Sequence, residues 1–199
     1  MEIILASKSP QRKKILNLMN INFTIKNSTI NEKSFKINHQ SPKKYCEILA
    51  YEKANSISEN YKNSLVIGAD TIVVLGDEIF GKPDDKSSAE KMLQTLSGET
   101  HQVYTGVCLK WAEKNIHHLF AEITTVTFRD LDKKDISYYI KSCPPFDKAG
   151  AYGIQDWSAI FVKEIRGCYD NVVGFPISRF YQELKKLKIN LLDTISESS

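Results

Sequence analysis

Asp70 stands in Leu65-Val66-Ile67-Gly68-Ala69-Asp70-Thr71-Ile72-Val73-Val74, whose other residues are those of a strand buried on both faces. A carboxylate in such a run costs several kcal/mol unless a cation, a metal or hydrogen bonds compensate it. The Gly76-Asp77 pair that follows reads as a two-residue hairpin turn. It sets Leu75 opposite Glu78, and by extension Thr71 opposite Lys82 and Asp70 opposite Pro83. Gly81-Lys82-Pro83 then delivers an ammonium beside Asp70. The pair is either a general base next to a phosphate-binding cation or a structural ion pair at a sheet end.

A second cluster begins where the apolar residues 2–6 run into Ser7-Lys8-Ser9-Pro10-Gln11-Arg12. Ser9 reads as a helix N-cap and Pro10 as the first helical position. The free amides and the dipole of that helix end face the loop, so Ser7, Ser9 and Arg12 are candidate phosphate ligands. Arg12 reaches back because helical side chains tilt toward the N-terminus. In the alternative, Ser9 merely caps and Lys8, Arg12, Lys13 and Lys14 form a solvated basic face. Lys53 follows Leu49 and precedes Ile57 by four residues each, on an inward helical stripe, where a lysine either snorkels or meets an anion. Glu32 is either a solvent-exposed carboxylate or a metal ligand shared with Asp70. Asp147-Lys148-Ala149-Gly150-Ala151-Tyr152-Gly153-Ile154-Gln155 has small residues that let a ligand approach the backbone. Gln155 offers a donor and an acceptor together, matching the N3–H/O4 edge of uracil or thymine, although the segment also suits an ordinary turn. Taken together, Arg12, two or three lysines (Lys53, Lys82 and Lys148) and two carboxylates describe a site for a polyphosphate with Mg²⁺.

The elements that must position these groups follow from caps and periodicity. Helices are predicted from Pro10 to about Asn20, from Pro42 to Ser58, from a Ser87/Ser88 cap to Gly98, from Asp132 to Ile140, and from Pro176 to about Leu187. Strands are predicted over 2–6, 65–75, 78–81, 101–111, 116–128 and 158–165, with loops over 147–156 and 167–174. Because hairpins interrupt the alternation of helices and strands, the fold class is α/β with a mixed central sheet flanked by helices. One domain is expected over residues 1–190, with a frayed tail over 191–199.

The 199 residues carry 27 Lys and Arg against 24 Asp and Glu, a formal charge of +3, which argues against a dedicated nucleic-acid binder. Hydrophobic residues at 42% and charged residues at 26% argue for a folded globular chain rather than a disordered one. No apolar run approaches the roughly 20 residues of a membrane span, and the first residues lack a signal-peptide pattern, so no membrane partner and a cytoplasmic location are expected. Cys46, Cys108, Cys143 and Cys168 lie far apart without metal-ligand spacing and read as reduced, mostly buried thiols.

At this point the chain resembles the Maf family of nucleotide pyrophosphatases, over nearly its whole length. The matching stretches are LASKSPQR (5–12), Lys53 within YEKA, GADTIVV (68–74), GKPDD (81–85), LSGETHQVYTGV (96–107), TTVTFR (124–129), DKAGAYGIQ (147–155) and GCYDNVVGFP (167–176). The form DKAGAYGIQ is similar to the branch acting on dTTP and UTP rather than the branch preferring a methylated guanine nucleotide. The resemblance implies a mixed α/β fold with two lobes around a deep cleft, a homodimer, and Mg²⁺- or Mn²⁺-dependent hydrolysis of a nucleoside triphosphate to the monophosphate and pyrophosphate. It implies Asp70 as proton acceptor for the attacking water, with Ser7, Arg12, Lys53 and Lys82 on phosphates and Glu32 helping with metal. Thr71, Gln155 and position 11 would set nucleotide preference. The family usually has a second arginine where this chain has Gln11, and a Glu-Pro where it has Pro144-Pro145. A purine triphosphatase of the same architecture is the enzymatic rival. A nucleotide-binding regulator of cell division without turnover is the rival of another class.

Overall fold

The computed structural model describes residues 1–35 and 41–191. The tail expected to fray lies, from residue 192 on, outside the described residues, whereas Leu191 is buried.

In chain order the strands are β1 (Glu2–Ala6), β2 (Thr24–Ile25), β3 (Ser64–Leu75), β4 (Glu78–Phe80), β5 (Thr100–Trp111), β6 (Ile116–Phe128) and β7 (Val162–Arg166). The helices are α1 (Pro10–Asn17), α2 (Pro42–Ser58), α3 (Lys86–Leu96), α4 (Lys133–Ser142), α5 (Tyr169–Val173) and α6 (Ile177–Lys186). The seven strands form one sheet in the order β2-β1-β3-β5-β6-β7, with β4 paired to β3. β1 runs parallel to β2 and β3, whereas β3–β4 and β6–β7 are antiparallel, so the sheet is mixed as the sequence pattern requires.

The described chain divides into two compact units. One takes in Met1–Asp70, Thr105–Glu122 and the chain from Gly174; the other takes in Thr71–Tyr104 and Ile123–Val173. Each has its own core. In the first, Ile4, Ala6, Val66 and Cys108 pack against Ala50, Ala54 and Ile57 of α2. In the second, Leu93 and Leu96 of α3 and Ile136, Tyr139 and Ile140 of α4 pack with Val103, Phe128, Tyr152 and Phe161. Among the described residues no helix is long and apolar enough to cross a membrane.

Several local expectations need correction. α1 ends at Asn17 rather than Asn20, because the chain turns through Asn20 at φ +51°, a left-handed conformation that asparagine tolerates. α3 is capped by Asp85, not by Ser87 or Ser88. The Ser88 backbone N–H donates to Asp85 Oδ1 at 2.7 Å and the Asp85 N–H donates to Ser88 Oγ at 3.0 Å, a reciprocal capping box. The strand expected from residue 158 starts at Val162, since Asp156 caps a 3-10 turn over Trp157–Phe161 instead. Within the expected loop 167–174 a short helix forms, anchored by buried Asn171, whose Nδ2 donates to Val103 O and Thr124 Oγ1, both at 3.0 Å.

His101 makes the second unit acid-sensitive. Burial pushes its imidazole down to about 4 from 6.5. Above pH 6.5 both folded and unfolded states are neutral there; between 6.5 and 4 the unfolded chain takes up a proton that the native state refuses. Stability therefore falls across that window by up to about 3 kcal/mol, equivalent to roughly 6–12 °C in Tm. Melting curves at pH 7.5 and 4.5 check this: His101→Gln is expected to lose much less Tm over the interval than the parent.

Candidate active site

Gly68 sets up the site in the first unit. A Cβ on it would lie 2.1 Å from Ala50 O and 2.7 Å from Ala54 N, so only glycine lets the backbone of α2 approach β3 this closely. The approach aims Lys53, one residue before Ala54, at Asp70, two residues after Gly68. Gly68→Ala is expected to lose about 3 kcal/mol and roughly 6–12 °C in Tm, with activity falling as α2 is displaced. Gly81→Ala, where an added Cβ has nothing within 4 Å, is the control and should melt like the parent.

Lys53 Nζ lies 2.5 Å from Asp70 Oδ1 and 2.8 Å from Glu32 Oε1. The Lys53 and Asp70 side chains are 6% and 8% exposed, while that of Glu32 is 40% exposed, so a buried pair is joined by a carboxylate reaching in from a surface turn. This decides the alternatives left by the sequence: Lys53 meets anions and does not snorkel. Asp70 Oδ2 receives no hydrogen bond from any described residue, which leaves it an acceptor for a ligand or a water.

The helix-start loop divides as residue burial dictates. Lys8, Lys13 and Lys14 are exposed and form the solvated basic face, whereas Arg12 is 8% exposed. Arg12 Nε donates to Gly174 O at 2.9 Å and Nη1 to Ser7 Oγ at 3.1 Å. Burial lowers its guanidinium from the ordinary value, and the charges of Asp70 and Glu32 pull it back up. Ser9 caps α1 by accepting from the Arg12 N–H at 3.4 Å, and its Oγ donates to Gln11 Oε1 at 3.0 Å. Ser7 Oγ also accepts from the Ser9 N–H at 3.2 Å, which closes the loop on itself.

The β3–β4 ladder is shorter than the extension to Lys82 assumed. The register is as read, with Leu75 opposite Glu78, but the β3–β4 ladder ends at Val73–Phe80. Gly81 O accepts instead from the Gly150 N–H at 3.0 Å, which draws residues 81–83 out of the ladder. The ladder therefore does not extend to exposed Lys82, and within the first unit Lys53 contacts Asp70. Thr71 is half-buried on β3. In the second unit, Gln155 is exposed on its turn, and Lys148, expected on phosphates, is 2.9 Å from Asp147 Oδ1 and 3.6 Å from Asp156 Oδ2.

The sequence places Tyr45 on the α2 stripe and Gly68 in β3 but shows no role for either. Tyr45 shares the α2 stripe with Leu49 and Lys53, and its hydroxyl donates to Phe35 O at 3.2 Å, tethering the chain just after the Glu32–Ser34 turn. Its spacing of eight from Lys53 was a readable signal for a shared face; its hydrogen-bond partner was not.

The donors suit a hard divalent cation. Two carboxylates, Asp70 and Glu32, both reach the Lys53 ammonium, and among the described residues no group of three or more His, Cys, Asp or Glu side chains forms a closed metal cage. Mg²⁺ is commonly held by one or two carboxylates together with substrate phosphates, and this donor set fits that pattern. Cys46 and Cys108 do not compete as nucleophiles: burial raises both, the latter to about 12, so they stay protonated.

A family model described as Maf-like protein matches residues 2–187. This chain belongs to the Maf family. A relative from Geobacillus sp. named dTTP/UTP pyrophosphatase is 47% identical over 186 residues, which cover 94% of this chain and 98% of that protein. Relatives of the same name from Bacillus cytotoxicus (46% identical, covering 93% of this chain and 95% of that one) and Ruminiclostridium cellulolyticum (44%, 96% and 98%) agree. Among solved structures, the Staphylococcus aureus Ham1 protein superposes with a TM-score of 0.53 at 14% identity, covering 94% of this chain and all of that one, a likeness of fold. Maf membership thus joins a mixed sheet flanked by helices to the buried Asp70–Lys53 pair and the Glu32 carboxylate that reaches it.

Proposed function

We propose that this Maf protein is a nucleoside triphosphate pyrophosphatase that hydrolyses dTTP and UTP to the monophosphate and pyrophosphate, clearing unwanted or modified pyrimidine nucleotides from the cytoplasmic pool. The dTTP/UTP pyrophosphatase relatives support the reaction and its substrates. The observation that carries the chemistry is Asp70, a buried carboxylate whose Oδ1 is held by Lys53 while Oδ2 keeps an open acceptor position.

In this reading Asp70 Oδ2 accepts a proton from water as its oxygen bonds to the α-phosphorus, and the bond to the bridging oxygen of the pyrophosphate breaks. Arg12, Lys53 and Lys82 supply positive charge where negative charge grows, and the hydroxyls of Ser7 and Ser9 orient the phosphates. Asp70 and Glu32 would hold Mg²⁺ or Mn²⁺, which when bound neutralises phosphate charge. Thr71 and Gln155 would set nucleotide preference, with Gln11 modulating it. A nucleotide sensor without turnover is not favoured, because binding alone needs no proton acceptor beside the phosphates. The homodimer implied by resemblance belongs to the same proposal.

The test is the purified protein with Mg²⁺ or Mn²⁺ against dTTP, UTP, CTP, ATP and GTP, with pyrophosphate and orthophosphate measured separately. Pyrophosphate from dTTP and UTP is expected. Orthophosphate as first product, or turnover confined to purines, would sink the reading.

A further inference from the structure

The turn that carries Gln155 is held in a way that the reaction scheme does not require. Gln155 is exposed, and among the described residues nothing meets its amide, so the group is available to a ligand. Its neighbour Asp156 is half-buried and heavily engaged. The Asp156 backbone N–H donates to Gly153 O at 2.9 Å. Its Oδ1 accepts from the Ser158 N–H at 3.0 Å and faces Ser158 Oγ at 2.8 Å, while Oδ2 accepts from the Tyr139 hydroxyl at 3.4 Å. Ser158 Oγ in turn accepts from the Gly153 N–H at 3.0 Å, closing the turn from the other side.

Lys148 joins the two ends of the segment. Its ammonium lies 2.9 Å from Asp147 Oδ1 and 3.6 Å from Asp156 Oδ2, and its side chain is only 15% exposed. Its stem passes across Gly153, where a Cβ would sit 2.8 Å from Lys148 Cδ and Cε and 2.9 Å from Asp156 Oδ2. Glycine at 153 leaves room for this crossing. An ammonium between Asp147 and Asp156, with its stem running past Gly153, is well placed to fix the residues between the two carboxylates.

We propose that Lys148 and Asp156 are positioning residues that hold the Gln155 turn in the geometry that reads the nucleobase, and that Lys148 serves this clamp and not a phosphate. The inference rests on the dTTP/UTP pyrophosphatase reading and deepens it. Loss of the clamp weakens the contact that Gln155 makes with the base, in ground state and transition state alike, without touching the triphosphate.

The experiment uses the full chain with Lys148→Met, Lys148→Arg and Asp156→Asn. Lys148→Met is expected to raise KM for dTTP and UTP about tenfold with kcat changed less than twofold, the signature of lost uniform binding. The inhibition constant of inorganic pyrophosphate should stay at the parent value, and Lys148→Arg should restore most of the KM by keeping a cation between the two carboxylates. A pyrophosphate inhibition constant that rises in step with KM would put Lys148 on the phosphates and overturn the proposal, as would an unchanged KM. Hydrogen exchange of the amides of residues 150–158, measured without nucleotide, reads the clamp independently: faster exchange in Lys148→Met and Asp156→Asn is expected, and parent-like exchange overturns it. If the parent protein hydrolyses neither dTTP nor UTP, the functional reading fails, and the exchange measurement still decides the clamp.

Discussion

Asp70→Asn is expected to turn over nucleotide about 10²–10⁴-fold more slowly than the parent, with its fold intact. The amide keeps the shape of the carboxylate and can still accept a hydrogen bond from Lys53 through its oxygen, but it cannot take the proton of the attacking water. Stability changes little, because Lys53 remains 2.8 Å from Glu32 and keeps an anionic partner. Single-turnover rates together with nucleotide affinity separate the two effects: the rate drops and the affinity holds. A variant that keeps more than a tenth of the parental kcat would remove Asp70 from the proton-acceptor role.

Lys53→Met should have the opposite balance, losing stability as well as turnover. Lys53 and Asp70 are both nearly inaccessible, so deleting the ammonium leaves Asp70 buried and uncompensated, with Glu32 close by as a second negative charge. Removing one partner of a buried ion pair costs about 3–5 kcal/mol, or roughly 6–20 °C in Tm for a chain of this size. The double variant Lys53→Met/Asp70→Asn, which removes both charges of the buried pair, is expected to regain most of that loss while remaining inactive. Thermal or urea denaturation of the four proteins completes the cycle. If the double variant is no more stable than Lys53→Met, the two charges are not coupled as the 2.5 Å contact requires.

How much of the site was legible depended on whether the signal was local. Asp70 stood out because a charge inside a β-branched run violates the pattern around it, and Lys53 because it fell on the inward stripe of α2. Ser9 with Pro10 announced the start of α1 in the same way, through short-range capping chemistry. By contrast, the sequence did not pair Lys53 with Asp70, and the strand pairing expected to bring Lys82 there stops short. The hairpin register was correct over its paired residues, but extending it to Lys82 assumed a ladder that the Gly81–Gly150 hydrogen bond interrupts, and that bond joins residues far apart in sequence. The cap of α3 was misplaced by two or three residues for a smaller reason: Asp85 and Ser88 form a reciprocal box, in which the serine is the third helical residue rather than the cap.

The sequence by itself determined the mixed α/β class, most element boundaries, the family, and the candidate carboxylates and cations, because periodicity, capping and motif spacing are written within a few residues of each other. Only the tertiary structure decided which cation meets which carboxylate. Lys53 reaches Asp70 because Gly68 admits the α2 backbone against β3, and Lys148 lies between Asp147 and Asp156 because Gly153 leaves its stem a path. Such pairings depend on contacts between residues separated in sequence and on where a missing side chain permits close approach, and neither has a period or a spacing to read.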